Sequence, residues 1–182
     1  MRTRSWVSGF LTVFLAGGLA AAPAQPRLAL PSGGSVTWAT ASGKTRLDIR
    51  TSKGKRYTVP VSLDPLVAGK ARTAKLQLIG EKDAHYLILT DSYASLPLGM
   101  SMCQAGEETF LRVIALGPGR ARQTFHRKLA SCRENIELAE PGLTWSPETG
   151  TLRMHWLSAP QDREHQGEQT VQVAGDGTVQ VR

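Results

Sequence analysis

The chain beyond its first two dozen residues is predicted to be all-β: a single-domain antiparallel β-sandwich or barrel of roughly ten short strands, stapled by one disulfide. Three observations carry that expectation. Apolar and polar residues alternate with period two along most of the chain, while the i, i+3, i+4 spacing of an amphipathic helix is almost absent. Turn formers punctuate the alternation at Asp64-Pro65, Gly80, Pro97 to Gly99, Gly117 to Gly119, Pro141-Gly142 and Gly175 to Gly177. Hairpin registers that put apolar residues opposite apolar residues also leave loops of favoured length and chemistry.

Residues 1–24 stand apart. Arg2 and Arg4 precede an apolar stretch from Trp6 to Ala22, and Ala22-Pro23-Ala24 offers small residues at the two positions a signal peptidase reads. This order predicts a secretory signal peptide cleaved after Ala24, and a periplasmic or secreted product over 25–182 with no membrane span. The stretch is glycine-broken and shorter than the ~20 apolar residues a spanning helix needs. Removing it takes away two arginines and no acid, so the formal charge falls from +7 to +5. The remaining 158 of 182 residues suffice for one domain with its own core.

The first strands are SVTWAT, TRLDIRT and RYTVPV. Pairing Val36 with Ile49 and Trp38 with Leu47 leaves Ser42-Gly43 as a two-residue loop. Pairing Ile49 with Tyr57 and Leu47 with Val59 leaves Ser52-Lys53-Gly54, with glycine where a left-handed bulge requires it. RTAKLQLIG supplies a further strand. HYLILTD and FLRVIAL are apolar on both faces apart from Arg112, which predicts central strands covered on both sides. Arg112 is expected to pair with Glu107 or Glu108.

FLRVIAL also opens a hairpin that bends at Gly117-Pro118-Gly119. Cys103 lies 15 residues before Pro118 and Cys132 lies 14 after it, so both reach the open end together. In an exported chain this spacing predicts a disulfide rather than a C-x-x-C redox pair or a zinc clip. Closing a loop of about 30 residues contributes roughly 3.5 kcal/mol in the chain-entropy model. NIELAE adds a short strand. Pairing Leu143 with Trp156 and Trp145 with Met154 puts the next turn over Glu148 to Thr151. Pairing Val171 with Val181 and Val173 with Val179 leaves Gly175-Asp176-Gly177. No fixed repeat marks the blades of a propeller, and the chain is short for several four-stranded ones. The segment from Leu157 to Glu168 is read as an exposed loop.

Catalytic signatures are absent from the sequence: no G-x-S-x-G, P-loop or H-E-x-x-H occurs. Asp91 and Ser92 in DSYAS are read as turn-capping residues. Glu107 and Glu108, being adjacent in a strand, point to opposite faces and cannot flank one bond. His155 and His165, with Asp162, Glu164 and Glu168 near by, define an alternative in which the protein is a periplasmic hydrolase or metal-dependent enzyme. No cofactor is expected.

Charge is the more informative feature. Nine basic residues face two acids between Lys44 and Lys75, and six basic residues face none between Arg112 and Arg133. The predicted registers place Arg46, Arg50 and Arg56 on the sheet face opposite Trp38 and Leu47, with Lys44, Lys53 and Lys55 at its rim. Arg50 stands directly across from Arg56, an arrangement that destabilises a sheet unless something compensates. The face predicts a non-enzymatic, inhibitor- or immunity-like binding protein of a bacterial envelope, engaging an acidic protein or anionic envelope component. Nucleic acid is not expected, because no aromatic stacking platform accompanies the cations. A structural accessory module is a third reading.

Overall fold

The computed structural model of the protein describes residues 25–41, 44–70, 73–82, 85–95, 106–157 and 165–182. Among these residues twelve strands form three antiparallel sheets of four, each built from four consecutive strands. The first sheet holds β1 (Arg27–Ala29), β2 (Ser35–Ala41), β3 (Lys44–Arg50) and β4 (Arg56–Val61). The second holds β5 (Lys75–Lys82), β6 (Tyr86–Ala94), β7 (Glu107–Leu116) and β8 (Ala121–Ser131). The third holds β9 (Leu138–Ser146), β10 (Thr151–Trp156), β11 (Gly167–Val173) and β12 (Val179–Val181). One 3-10 turn, Pro65–Val67, links the first two sheets, with Asp64 Oδ1 accepting the Leu66 N–H at 2.8 Å.

The all-β expectation holds, while its finer form is corrected: there are three open sheets in place of two layers or a closed barrel. The second sheet is the middle layer. One face carries Leu87, Leu89, Tyr93, Phe110 and Ile114 into a cluster with Val36, Trp38, Leu47, Ile49 and Val59 of the first sheet. Its other face carries Ile88, Leu111, Val113 and Leu129 into a cluster with Leu152, Met154, Trp156, Val171 and Val173 of the third. Burying each such side chain contributes about 1.5–3 kcal/mol. This double coverage explains why HYLILTD and FLRVIAL are apolar on both faces. A chain of this length therefore does accommodate three four-stranded meanders, without any fixed sequence repeat.

The predicted registers hold in the first sheet: Val36 faces Ile49, Trp38 faces Leu47, Ile49 faces Tyr57 and Leu47 faces Val59. They hold again at Val171–Val181 and Val173–Val179. Gly54 adopts φ +78°, as its bulge position demands. The β9–β10 register is corrected by two residues. Leu143 faces Met154 and Trp145 faces Leu152, so the turn spans Pro147 to Gly150. A two-residue slip keeps every side chain on the same face, so alternation alone does not choose between the two registers. The expected β7–β8 hairpin is present, with the Gly117 N–H donating to the Arg120 carbonyl at 2.9 Å.

Two sequence readings in the middle sheet are corrected. DSYAS is not a turn but the continuous end of β6, and Asp91 is fully buried. Arg112 pairs with this Asp91, and neither Glu107 nor Glu108 reaches it. Those two glutamates do take opposite faces, Glu107 exposed beside Lys75 and Glu108 buried with Ser95 Oγ donating to it at 2.6 Å.

Candidate functional site

Alternation in the first sheet sends its odd–even partners to opposite sides. Val36, Trp38, Leu47, Ile49, Tyr57 and Val59 turn inward, and the intervening residues form a solvent face. Their registers define two cross-strand rows. One runs Ala29, Ser35, Arg50, Arg56, and the other runs Arg27, Thr37, Asp48, Thr58. Arg46 and Lys44 continue the face along β3. Arg50 and Arg56 occupy directly opposed positions, as predicted.

Only part of this charge is compensated. Arg46 Nε donates to both Asp48 oxygens at 3.2 and 3.1 Å, and Thr58 Oγ1 donates to Asp48 Oδ1 at 2.9 Å. Lys44, Lys53, Arg50 and Arg56 are exposed and make no ion pair among the described residues. Ser35, Thr37, Asp48, Arg50, Arg56 and Thr58 line a groove of about 370 Å³ on this face. Two facing guanidiniums, three hydroxyls and a half-exposed carboxylate make it a polar recognition surface.

Lys55 does not belong to this face. It shares the parity of Tyr57, so it turns toward the middle sheet, where its Nζ donates to the Gly117 and Pro118 carbonyls and lies 5.1 Å from the Tyr57 ring centroid. Tyr57 Oη donates to the same Gly117 carbonyl at 3.0 Å. Lys55 thus fastens the β7–β8 turn to the first sheet. Conversely, Arg27 joins the face without having been expected there. Its strand is three residues long, too short for a periodicity argument. The available signal was Arg27-Leu28-Ala29-Leu30 alternating into Pro31-Ser32-Gly33-Gly34, a strand leading into a turn.

The second basic run disperses. Arg112 is enclosed, and Lys128 lies between carboxylates, 3.0 Å from Asp64 and 2.6 Å from Glu134. Burial pushes the Asp64 carboxyl up, but the Leu66 N–H and Lys128 outweigh it and hold it below the ordinary range.

The two histidines of the enzyme alternative lie in different settings. His165 is a core residue rather than a loop ligand: its Nε2 lies 3.0 Å from the Lys128 carbonyl and its ring stands edge-on to Trp156 at 5.2 Å. His155 projects from the outer side of β10, opposite Glu168 in register. Asp162 and Glu164 lie outside the described residues. No group of three His, Cys, Asp or Glu side chains that could hold a metal ion occurs among the described residues.

Cys132 directly follows β8, and no free cysteine occurs among the described residues. Cys103, its expected partner, lies outside them, as does the expected leader over 1–24. Among the described residues no helix is long and apolar enough to cross a membrane. Comparison of the chain with known protein families, curated proteins and solved structures found no match.

Proposed function

We propose that the protein is a non-catalytic binding protein of a bacterial envelope, periplasmic or secreted after loss of residues 1–24, whose first sheet engages an acidic protein or polyanion. The observation that carries this reading is the directly opposed pair Arg50–Arg56, exposed and without an ion pair among the described residues. Like charges in register cost a sheet stability, and an anionic ligand seated between them reverses the sign of that term. Lys44, Lys53 and Arg27 extend the positive field around the pair and favour rapid, salt-sensitive association.

Charge reversal at Arg50 and Arg56 together should abolish retention on an immobilised polyanion, and unchanged retention would reject the proposal. The export half of the reading has its own test. Mass spectrometry of protein recovered from cells should find a chain starting at Gln25 with Cys103 and Cys132 joined. An intact leader and two free thiols would remove it.

A further inference from the structure

Resting on the reading of the first sheet as a polyanion site, we propose that its ligand is an extended acidic polysaccharide, with acid groups at Arg50 and Arg56 and hydroxyl groups at Asp48. The cations are not gathered around a point. Lys44, Arg46 and Arg50 follow one another on the outer side of β3, where alternate residues are about 6.8 Å apart. The stripe from Lys44 to Arg50 is therefore about 20 Å long, and Arg56 widens it at one end. A single small anion would fill only that end. A linear chain uses all of it.

Asp48 distinguishes among linear chains. It sits within the stripe, between Arg46 and Arg50 on the same strand face, and its side chain is 38% exposed. An ionised carboxylate offers about four lone-pair positions. Arg46 and Thr58 converge on Oδ1, whereas Oδ2 receives Arg46 Nε alone. One acceptor position therefore stays open toward solvent amid the arginines. A polyphosphate or a run of glutamates presents further anions to that oxygen, which repels them. A sugar hydroxyl donates to it. Ser35, Thr37 and Thr58, which line the same groove, can each donate or accept and so match hydroxyl groups in either sense.

The test compares polyanions that carry the same acid group. Oligogalacturonate bears carboxylates and hydroxyls, and polyglutamate of matched charge bears carboxylates on an amide backbone without hydroxyls. Titrated with the purified protein at one ionic strength, oligogalacturonate should bind more tightly. Asp48→Asn, a substitution on an exposed strand position whose folding circular dichroism verifies, should weaken oligogalacturonate about three- to tenfold while strengthening polyglutamate. Equal affinity of the native protein for the two chains, or strengthening of both by Asp48→Asn, would overturn the polysaccharide assignment and leave the basic-face reading intact. The double reversal R50E/R56E should abolish binding of both. Binding unchanged by that reversal would instead remove the basic-face reading itself.

Discussion

Arg112 and the pair Arg50–Arg56 lie on successive sheets, and the molecule treats them in opposite ways. Around Arg112 each of the three guanidinium nitrogens finds an acceptor. Nε and a terminal nitrogen donate to the two Asp91 oxygens at 2.6 and 3.0 Å, the other terminal nitrogen donates to Gln123 at 2.9 Å, and the Trp38 ring lies 5.5 Å away. Tyr93 Oη completes the set by donating to Asp91 at 2.9 Å. Burial and the neighbouring Asp91 push the Tyr93 phenol far up, so it stays a donor at any ordinary pH. Arg50 and Arg56 make no ion pair among the described residues. Arg112 is thus answered by a carboxylate inside the fold, and the pair on the surface is not, which is the setting the proposed partner site requires.

The contrast predicts a large effect on one side. Asp91→Ala strands a fully buried guanidinium between the first two sheets and should cost about 3–5 kcal/mol, read as a lower urea midpoint at constant slope. Replacing Asp91 and Arg112 together by leucine and methionine removes both charges and should recover most of that loss. If the single variant is as stable as the native chain, Asp91 does not compensate Arg112 and the comparison fails.

The two interfaces of the middle sheet differ likewise, one polar at its centre and one apolar and close. Gly80 belongs to the close one. A β-carbon there would stand 2.4 Å from the Trp145 indole nitrogen, so Gly80→Ala must displace a ring that covers Tyr86 edge-on at 6.3 Å. A loss of about 1–3 kcal/mol is expected in thermal unfolding. Gly54→Ala is the matched control: nothing lies within 4 Å, and only the φ of +78° opposes it. About 1 kcal/mol should suffice there.

On the exposed side the effect on stability should be smaller and of opposite sign. Arg56→Gln relieves the repulsion facing Arg50 and should raise stability by about 0.2–1 kcal/mol, while weakening retention on a polyanion. Added salt should shrink both changes, because the pair lies in solvent. A loss of stability on Arg56→Gln would show that the pair is compensated after all.

Most of the sheet scaffold was legible because strand alternation and turn glycines are local. The registers of Val36, Trp38 and Leu47 followed from two short loops, and the double-sided apolarity of HYLILTD and FLRVIAL marked strands covered on both sides, though not the third sheet that covers them. What escaped was non-local. Nothing in the sequence separates Asp91 from a turn residue until β6 is seen to run on to Ala94 and meet Arg112 across β7. His165 looked like loop chemistry because its burial comes from Trp156 and the Lys128 carbonyl, neither adjacent in sequence. On the candidate face parity placed Arg46, Arg50 and Arg56 together, but simple proximity to a turn admitted Lys55, which turns to the other side, and the brevity of β1 hid Arg27.

The smallest expected effect lies where the two charge regimes meet. His126 is opposite Arg112 in register, its ring stacked on Phe110 at 5.5 Å while its edge remains open to solvent. Burial, then the Arg112 guanidinium, lowers its pKa below the ordinary histidine value, and Asp91 and Asp64 only partly offset them. A folded-state pKa below the unfolded one means the unfolded chain binds the extra proton first. The stabilising contribution is therefore complete above the unfolded pKa of ~6.5 and is lost as pH falls from there through the folded pKa. His126→Gln should flatten the urea midpoint of the protein over that window and leave it unchanged at pH 8. Because His126 is exposed, the native slope should be shallow. A midpoint that instead rises as the native protein is acidified through this range would mean that Asp64 and Asp91, not Arg112, dominate the field at the imidazole.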